Sequence, residues 1–395
     1  MVTQMPWERL ALAVLVALVA ALAFFPTLRL RHRLQTAAWL GCSAVVGLSP
    51  CLIPLDAPSL RFVASLFTIT LLVKLYDVHR ESRLCLSLGF WVYMAYLPNG
   101  FWLVLRRKPD PPSIGHDFLS LGLRAPAALL LIVICVFLFQ IDWSSSVALE
   151  YVLKVSAVVS AIVLATNAAA AGYRLVGGVA SDFMGNPLIA PTPADFWRRW
   201  NIPAHQFLEE YAFKPAGGLR KPIRATLITF GISGIVHEYV FGIAAGRIQG
   251  WQFLFFIVQG VAVIATMRIR PKGRLVLLCV AATFVFNMAS SVLFFVSVNR
   301  VVPFYSSPVQ DHCAWLDHPD RSPSLPGGAE QNERRRAGCE VHRHSATPAG
   351  ADDDIRVVPV GLGDLDCLEV LVRPGGIDDL VVVLGEEGRF HTTRD

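Results

Sequence analysis

The chain has 395 residues, of which 54% are hydrophobic and only 16% charged, against about 25% charged in an ordinary soluble domain. Apolar runs long enough to cross a bilayer recur along it, which excludes a soluble globular enzyme and points to a polytopic membrane protein. The net charge of +5 hides an asymmetry: from Ser306 onward there are 9 Arg, no Lys and 17 acidic residues, so the basic excess lies in the first 305 residues. In a membrane protein that excess belongs to cytoplasmic loops rather than to a nucleic-acid surface.

In chain order, Leu10–Phe25 is an apolar run closed by Pro26. Ala21-Leu22-Ala23 could pass for a signal cleavage site, but a single Arg9 in front and further spans close behind favour an uncleaved first span. The runs Ala37–Leu55, Leu60–Tyr76, Leu84–Leu105, Ala125–Ile141 and Val147–Ala171 follow. Pro98-Asn99-Gly100 interrupts the fourth run, and basic clusters flank it on both sides (Arg80 and Arg83; Arg106, Arg107 and Lys108). The expectation is a re-entrant hairpin there rather than a crossing. Broken backbone at that depth must pack against protein or a watery cavity.

Hydrophobicity then falls for about fifty residues rich in Arg and Lys, a cytoplasmic segment, before Ala225–Gly246, Trp251–Met267 and Leu275–Val298 resume. The expected fold is all-α: a polytopic transmembrane helical bundle of about eight or nine spans. Its expected divisions are N-terminal spans in 1–172, a core in 173–305, and a polar tail in 306–395. Through Asp354 the tail reads as disordered, and Ile355–Leu384 carries short Val/Leu runs suited to a few strands. Its five His and its cysteines Cys313, Cys339 and Cys367 fit no zinc spacing, and no metal or resident cofactor is expected.

Two features resist explanation as packing. His237 is the only histidine inside a long apolar segment, and Glu238 follows it directly. Ionisable groups at membrane depth are functional candidates by default. A neutral imidazole can take a proton from an alcohol; a structural histidine bonded to a neighbouring helix is the plain alternative. Adjacent helix positions point about 100° apart, so Glu238 is free to orient another group or pair with an arginine. Phe241 four residues after His237 excludes a zinc-protease motif, and Gly231-Ile232-Ser233-Gly234 is no nucleophile elbow but suits close helix approach. The second feature is Asp195-Phe196-Trp197-Arg198-Arg199-Trp200-Asn201-Ile202-Pro203. The Asn201 amide could donate to a developing oxyanion or serve as an N-cap before Pro203. Phe196, Trp197 and Trp200 suit an interfacial belt. Arg198 and Arg199 suit phosphates, either of lipid head groups or of a nucleotide-bearing donor. His205, Phe207, Leu208 and Tyr211 suggest an amphipathic helix in the interface.

Those motifs, with Tyr211-Ala212-Phe213-Lys214-Pro215, Ser233-Gly234-Ile235-Val236-His237-Glu238-Tyr239 and the lead-in Asn186-Pro187-Leu188-Ile189-Ala190-Pro191, resemble the membrane-bound O-acyltransferase (MBOAT) superfamily. The wax synthases and the diacylglycerol and sterol O-acyltransferases are the branches most like it. The resemblance covers about Asn186–Trp251. It implies acyl transfer from acyl-CoA, as co-substrate, to a lipid alcohol acceptor, giving a wax ester or an acylglycerol. It implies His237 as general base and Asn201 as its partner at the thioester carbonyl, with Glu238, Trp200 and Trp197 in support and Arg198 and Arg199 binding the coenzyme A phosphates. It further implies a cytosolic tunnel, a lateral opening among membrane lipids, and residence in a bacterial inner membrane or, in a eukaryote, an ER-type membrane. Assembly into a homo-oligomer stays open. Phe207 stands where related enzymes commonly place Trp, which bears on acceptor preference. The rival expectations are transfer to an exported glycan or other polar acceptor, and a lipid or proton transporter.

Overall fold

The structure is a computed structural model that describes residues 6–305 except 111, 144 and 145, together with the strands at 356–359, 368–372 and 381–384. The chain divides into two units, Met1–Pro323 and Ser324–Asp395. The expected disorder of the tail through Asp354, and its cysteines, lie outside the described residues. The second unit holds three short antiparallel strands, β1 (Arg356–Pro359), β2 (Leu368–Val372) and β3 (Val381–Leu384). They fall on the Val/Leu runs that favour strand.

The first unit is helical. Its helices are α1 (Pro6–Thr27), α2 (His32–Leu48), α3 (Pro58–Arg80), α4 (Ser82–Leu88), α5 (Phe90–Tyr96), α6 (Ile114–Gln140), α7 (Val147–Leu175), α8 (Pro193–Arg199), α9 (Ile202–Leu208), α10 (Pro222–Ala245), α11 (Trp251–Thr266) and α12 (Leu275–Asn299). Among the described residues six are long and apolar enough to cross a membrane: α1, α3, α6, α7, α10 and α12. The expectation of eight or nine crossings is higher for identifiable reasons. Helix α11 has only 16 residues, and α2 stops after 17 where Pro50 opens a 3-10 turn. The run Leu84–Leu105 forms two helices of seven residues each, neither long enough to cross alone.

That run breaks twice, at Gly89 (φ 86°) between α4 and α5 and again after Tyr96. The irregular backbone that follows is satisfied from within the protein, as burial demands. Lys74 Nζ, fully buried on α3, donates to the Trp102 carbonyl, and the Asn99 amide bridges Phe101 N–H and the Val179 carbonyl. One turn after Lys74, the Asp77 carboxylate accepts from Leu105 N–H (2.9 Å), Tyr96 Oη (2.8 Å) and Tyr211 Oη (2.6 Å). A single acid thus ties α3 to α5, to the loop and to the segment after α9.

Elsewhere small residues and ion pairs set the packing. Ala13, Ala17 and Ala21, four apart on α1, are buried against α3, α2 and α5, as close approach of helices in lipid requires. Helix α6 begins eleven residues before the expected Ala125 because Ser113 caps it and Asp117 in its first turn is bonded bidentately to Arg174 of α7 (2.6–3.1 Å). On α10, a side chain at Gly234 would meet the Phe253 ring at 2.9 Å and its Cα at 3.0 Å, so α10 and α11 touch backbone to side chain there. Gly231 faces open space and plays no such part.

Asp77→Ala removes the acceptor for two tyrosine hydroxyls and a buried N–H. It is expected to destabilise the detergent-solubilised protein by about 3–5 kcal/mol. Asp77→Asn, which keeps one acceptor oxygen, should lose less; thermal unfolding of the two variants beside the wild type checks this.

Candidate active site

One cavity of about 730 Å³ lies inside the first unit, walled by α7, α8, α9, α10, α11 and α12. His237, Asn201, Trp197, Trp200 and Arg198 all line it. Of the residues that the resemblance assigns to the site, Glu238 and Arg199 do not. The two groups are therefore separated by the fold, although each is adjacent to a lining residue.

His237 stands in the third turn from the end of α10. Its Nδ1 lies 2.8 Å from the Ser233 carbonyl of the preceding turn. A carbonyl only accepts, so Nδ1 carries the proton and Nε2 keeps its lone pair. The Phe256 ring of α11 covers one side of the imidazole at 4.3 Å between centroids, and Phe294 of α12 stands edge-on at 6.1 Å. Among the described residues Nε2 has no hydrogen-bond partner, so it is free for a ligand in the cavity.

Glu238 is buried and faces away from that space. Its Oε1 accepts from Gln249 N–H (2.6 Å) and Gly250 N–H, and its Oε2 from Phe253 N–H (3.2 Å). These are the orphan donors at the start of α11, satisfied by a charge suited to a helix N-terminus. Glu238 therefore pairs with backbone rather than with an arginine, and it fastens the helix that carries Phe256.

Asn201 realises the capping expectation and leaves the other open. It sits between α8 and α9 in the left-handed region (φ 43°), and its Oδ1 accepts from Ala204 N–H (3.2 Å) as the N-cap of α9. That bond occupies the oxygen. Nδ2 donates to nothing among the described residues, so the amide presents donors at the cavity wall. The strained turn is held by Asn167, a buried amide on α7 whose Oδ1 accepts from Phe183 N–H and Met184 N–H (both 2.9 Å) and whose Nδ2 donates to the Met184 carbonyl (3.0 Å). The same short segment binds the Asn201 turn through Ile202 N–H to the Phe183 carbonyl (2.9 Å) and Gly185 N–H to the Arg199 carbonyl (2.7 Å).

The aromatic residues are half-buried and packed against one another and their neighbours. Trp197 Nε1 donates to Gln259 Oε1 (2.9 Å) and Gln259 Nε2 to Ser290 Oγ (2.8 Å), linking α8, α11 and α12. The Trp197 ring meets Phe230, Phe255 and Phe256, and Trp200 stacks on Phe196. Both arginines lean on Asp195: Arg199 at 2.6 Å from Oδ2, Arg198 on Oδ1. Arg198 keeps 65% of its side chain exposed, whereas Arg199 is folded against the Asn186–Gly185 backbone. Helix α9 and the turn after it pack against the protein on two sides. His205 and Leu208 line the cavity, while Phe207 and Tyr211 pack on Tyr76 of α3. Burial pushes the His205 imidazole below its ordinary value, so it is neutral near pH 7.

The cavity also reaches the outer surface of the bundle. Ile162 of α7 and Phe284 of α12 line it while remaining 41% and 38% exposed. Both lie in the middle of long apolar helices. Asn167, Gln259, Thr283 and Asn287 escaped the sequence reading of the site. Each is a lone polar residue within an apolar run, the signal that singled out His237.

The fold and site define a helical integral membrane protein built around a mixed polar and apolar interior cavity. Residues 188–298 match the MBOAT, membrane-bound O-acyltransferase family. The chain is 29% identical over 87 residues to diacylglycerol O-acyltransferase 1-1 of Oryza sativa subsp. japonica, covering 22% of this chain and 16% of that protein. It is 30% identical over 88 residues to diacylglycerol O-acyltransferase 1C of Glycine max, covering 22% and 17%. Sterol O-acyltransferase 2 of Saccharomyces uvarum is 35% identical over 86 residues, covering 21% and 13%. The chain thus spans less than a fifth of the length of these relatives.

Two predictions follow the site's supports. Glu238→Ala frees three N–H groups at the α11 start and should loosen the packing of Phe256 on His237, seen as a lower thermal midpoint and faster amide exchange in residues 249–253; Glu238→Gln should retain part of the effect. At the edge of the cavity, the Arg107 guanidinium holds the Glu209 carboxyl below its ordinary value of 4.5. A lowered acid pKa stabilises the fold above the unfolded-state value and ceases to do so as pH falls through the folded-state value. Arg107→Ala should therefore lower the thermal midpoint at pH 7, by a difference that shrinks below about pH 4.5.

Proposed function

We propose that the protein is an O-acyltransferase that moves a long-chain acyl group from acyl-CoA to the hydroxyl of a lipid, making a wax ester or an acylglycerol. The observation that carries this reading is the pair of unpartnered groups on one cavity: a bare imidazole nitrogen on His237 and amide donors on Asn201. The first suits a general base for an alcohol, the second a stabiliser of the oxyanion that forms at a thioester carbonyl.

In the reaction His237 Nε2 takes the proton of the acceptor hydroxyl as its oxygen attacks the thioester carbon. Asn201 Nδ2 donates to the carbonyl oxygen as negative charge develops there. The carbon–sulfur bond breaks, and the proton on His237 passes to the departing coenzyme A thiolate, restoring the neutral ring. The Nδ1 bond to Ser233 keeps the ring in the required tautomer throughout. A cavity enclosed by helices suits an acyl donor that water would otherwise hydrolyse. The exposed Arg198 is placed to meet donor phosphates, whereas Arg199 serves through Asp195 to hold the turn. The partly exposed apolar side chains of Ile162 and Phe284 on the cavity wall suit an acceptor dissolved in the bilayer.

His237→Ala is expected to lower ester formation by about 10²–10⁴-fold and Asn201→Ala by about 10²–10³-fold, with both proteins still inserted in membranes. Release of coenzyme A thiol from oleoyl-CoA, measured with fatty alcohol, diacylglycerol and sterol as acceptors, checks this. Near-normal turnover in the His237 variant would remove the base assignment.

A further inference from the structure

Four basic side chains are buried among the described residues: Arg61, Lys74, Lys154 and Arg174. Three of them meet oxygen. Lys74 donates to the Trp102 carbonyl, Lys154 to Glu150 and the Phe304 carbonyl, and Arg174 to Asp117 and Asp182. Arg61, in the first turn of α3 and only 6% exposed, has no such partner. Its Nε is buried without a hydrogen-bond partner, and among the described residues its guanidinium reaches one acceptor, Cys51 Sγ, 3.9 Å from Nη2. Asp56, the nearest acid along the chain, is exposed and forms no ion pair with it among the described residues. A guanidinium taken out of water without an acceptor oxygen is costly.

Cys51 is placed to supply that acceptor. It is exposed, whereas Cys42, Cys135 and Cys279 are half-buried and Cys85 is buried. The 3-10 turn that carries it, Ser49–Leu52, is fixed from both sides. Ser49 and Pro50 are buried, Ser49 Oγ donates to the Val46 carbonyl, and Ile53 packs with Ala13 of α1 and Ala64 of α3. The sulfur is thus open to the outside on one side and held against a guanidinium on the other. Reactive cysteines occupy such places, exposed and beside a cation, while buried structural thiols are inert. A thiol sulfur is a weak acceptor. Oxygen atoms added to it would give Arg61 the charged acceptor it lacks.

We propose that Cys51 is a site of oxidation by peroxides, and that Arg61 holds the oxygenated anion that results. The sulfur attacks one peroxide oxygen and the O–O bond breaks. The departing hydroxide takes up the thiol proton and leaves as water, so the sulfur is oxidised to a sulfenic acid and the peroxide is reduced. A second peroxide adds a second oxygen in the same way, and the sulfinic acid loses its proton to solvent. The two oxygens and single charge of a sulfinate match the planar fork of a guanidinium. By the charge rule that puts Arg80 and Arg83 in a cytoplasmic loop, Cys51 at the other end of α3 faces the opposite compartment, where cellular reductants do not keep thiols reduced. No residue of α3 or of this turn lines the cavity described above, so the oxidation is distinct from the transfer chemistry.

The test treats the full chain in detergent with hydrogen peroxide, traps sulfenic acid with dimedone, and maps each cysteine by peptide mass spectrometry. Cys51 should react before Cys42, Cys135 and Cys279. Arg61→Gln should slow its reaction by roughly tenfold while the other cysteines keep their rates, and Arg61→Lys should slow it less. A Cys51 rate no higher than that of the other cysteines, or one untouched by Arg61→Gln, overturns the proposal. Alkylation separates charge from access: the ratio of iodoacetate to iodoacetamide labelling at Cys51 should fall in Arg61→Gln and hold in Arg61→Lys, and an unchanged ratio in Arg61→Gln counts against the guanidinium. The thermal midpoint needs no Arg61 variant. Peroxide should raise the midpoint of the wild type relative to equally treated Cys51→Ser protein, each against its untreated control, because the new anion answers a buried charge. An equal or lower midpoint would remove Arg61 as its holder.

Discussion

A carboxylate cannot be left bare in an apolar interior, and this constraint shapes the whole helical unit. Five acids are buried among the described residues: Asp77, Asp117, Glu150, Asp195 and Glu238. Each is answered by specific donors. Asp77 collects two tyrosine hydroxyls and a backbone N–H; Asp117 meets Arg174; Glu150 meets Lys154, which also reaches the Phe304 carbonyl (3.0 Å). Asp195 holds two arginines, and Glu238 takes three N–H groups from the start of α11. The contacts of Asp77, Asp117 and Glu238 each join two elements, whereas Glu150 and Asp195 meet their partners within α7 and α8.

The cavity inverts that rule. His237 Nε2, Asn201 Nδ2, the Thr283 hydroxyl and the Asn287 amide are polar, enclosed and unmatched within the described protein. Ser290 and Ser291, beside them on α12, are matched. Buried polar groups without partners lower stability, and a fold that keeps several of them around one space gains only when something binds there. The matched and the unmatched groups therefore serve different ends: one set assembles the walls, the other addresses the contents.

Much of this was legible in the residues. The helical membrane architecture follows from run length and the absence of charge, and the interrupted Leu84–Leu105 segment announces itself through Pro98-Asn99-Gly100 and its basic flanks. The wider count of crossings was not recoverable from hydropathy, because α2 ends at a proline-led 3-10 turn and α11 is short. Gathering His237, Asn201, Trp197, Trp200 and Arg198 around one cavity agrees with the motif. The diverging directions of Glu238 and Arg199 depend on which neighbours tertiary packing supplies. Tyr211 looks like an interfacial ring in sequence; only the fold shows it handing its hydroxyl to an acid 134 positions earlier. Asn167 and Asn287 carry the same mark as His237, a polar side chain in an apolar run, but the run alone cannot say that one is satisfied and the other is not.

The two central groups are held by independent routes. Asn201 is positioned from α7: Asn167 grips the 183–184 backbone, and that backbone grips the turn on which Asn201 sits. His237 is positioned from within α10 by Ser233 and from outside by α11, whose start is fastened by Glu238 and whose middle is tied to α8 and α12 through Gln259. The routes meet at α8, the short helix that leads to Asn201, where Trp197 bonds Gln259 and Ala194 N–H bonds Thr266 Oγ1 of α11.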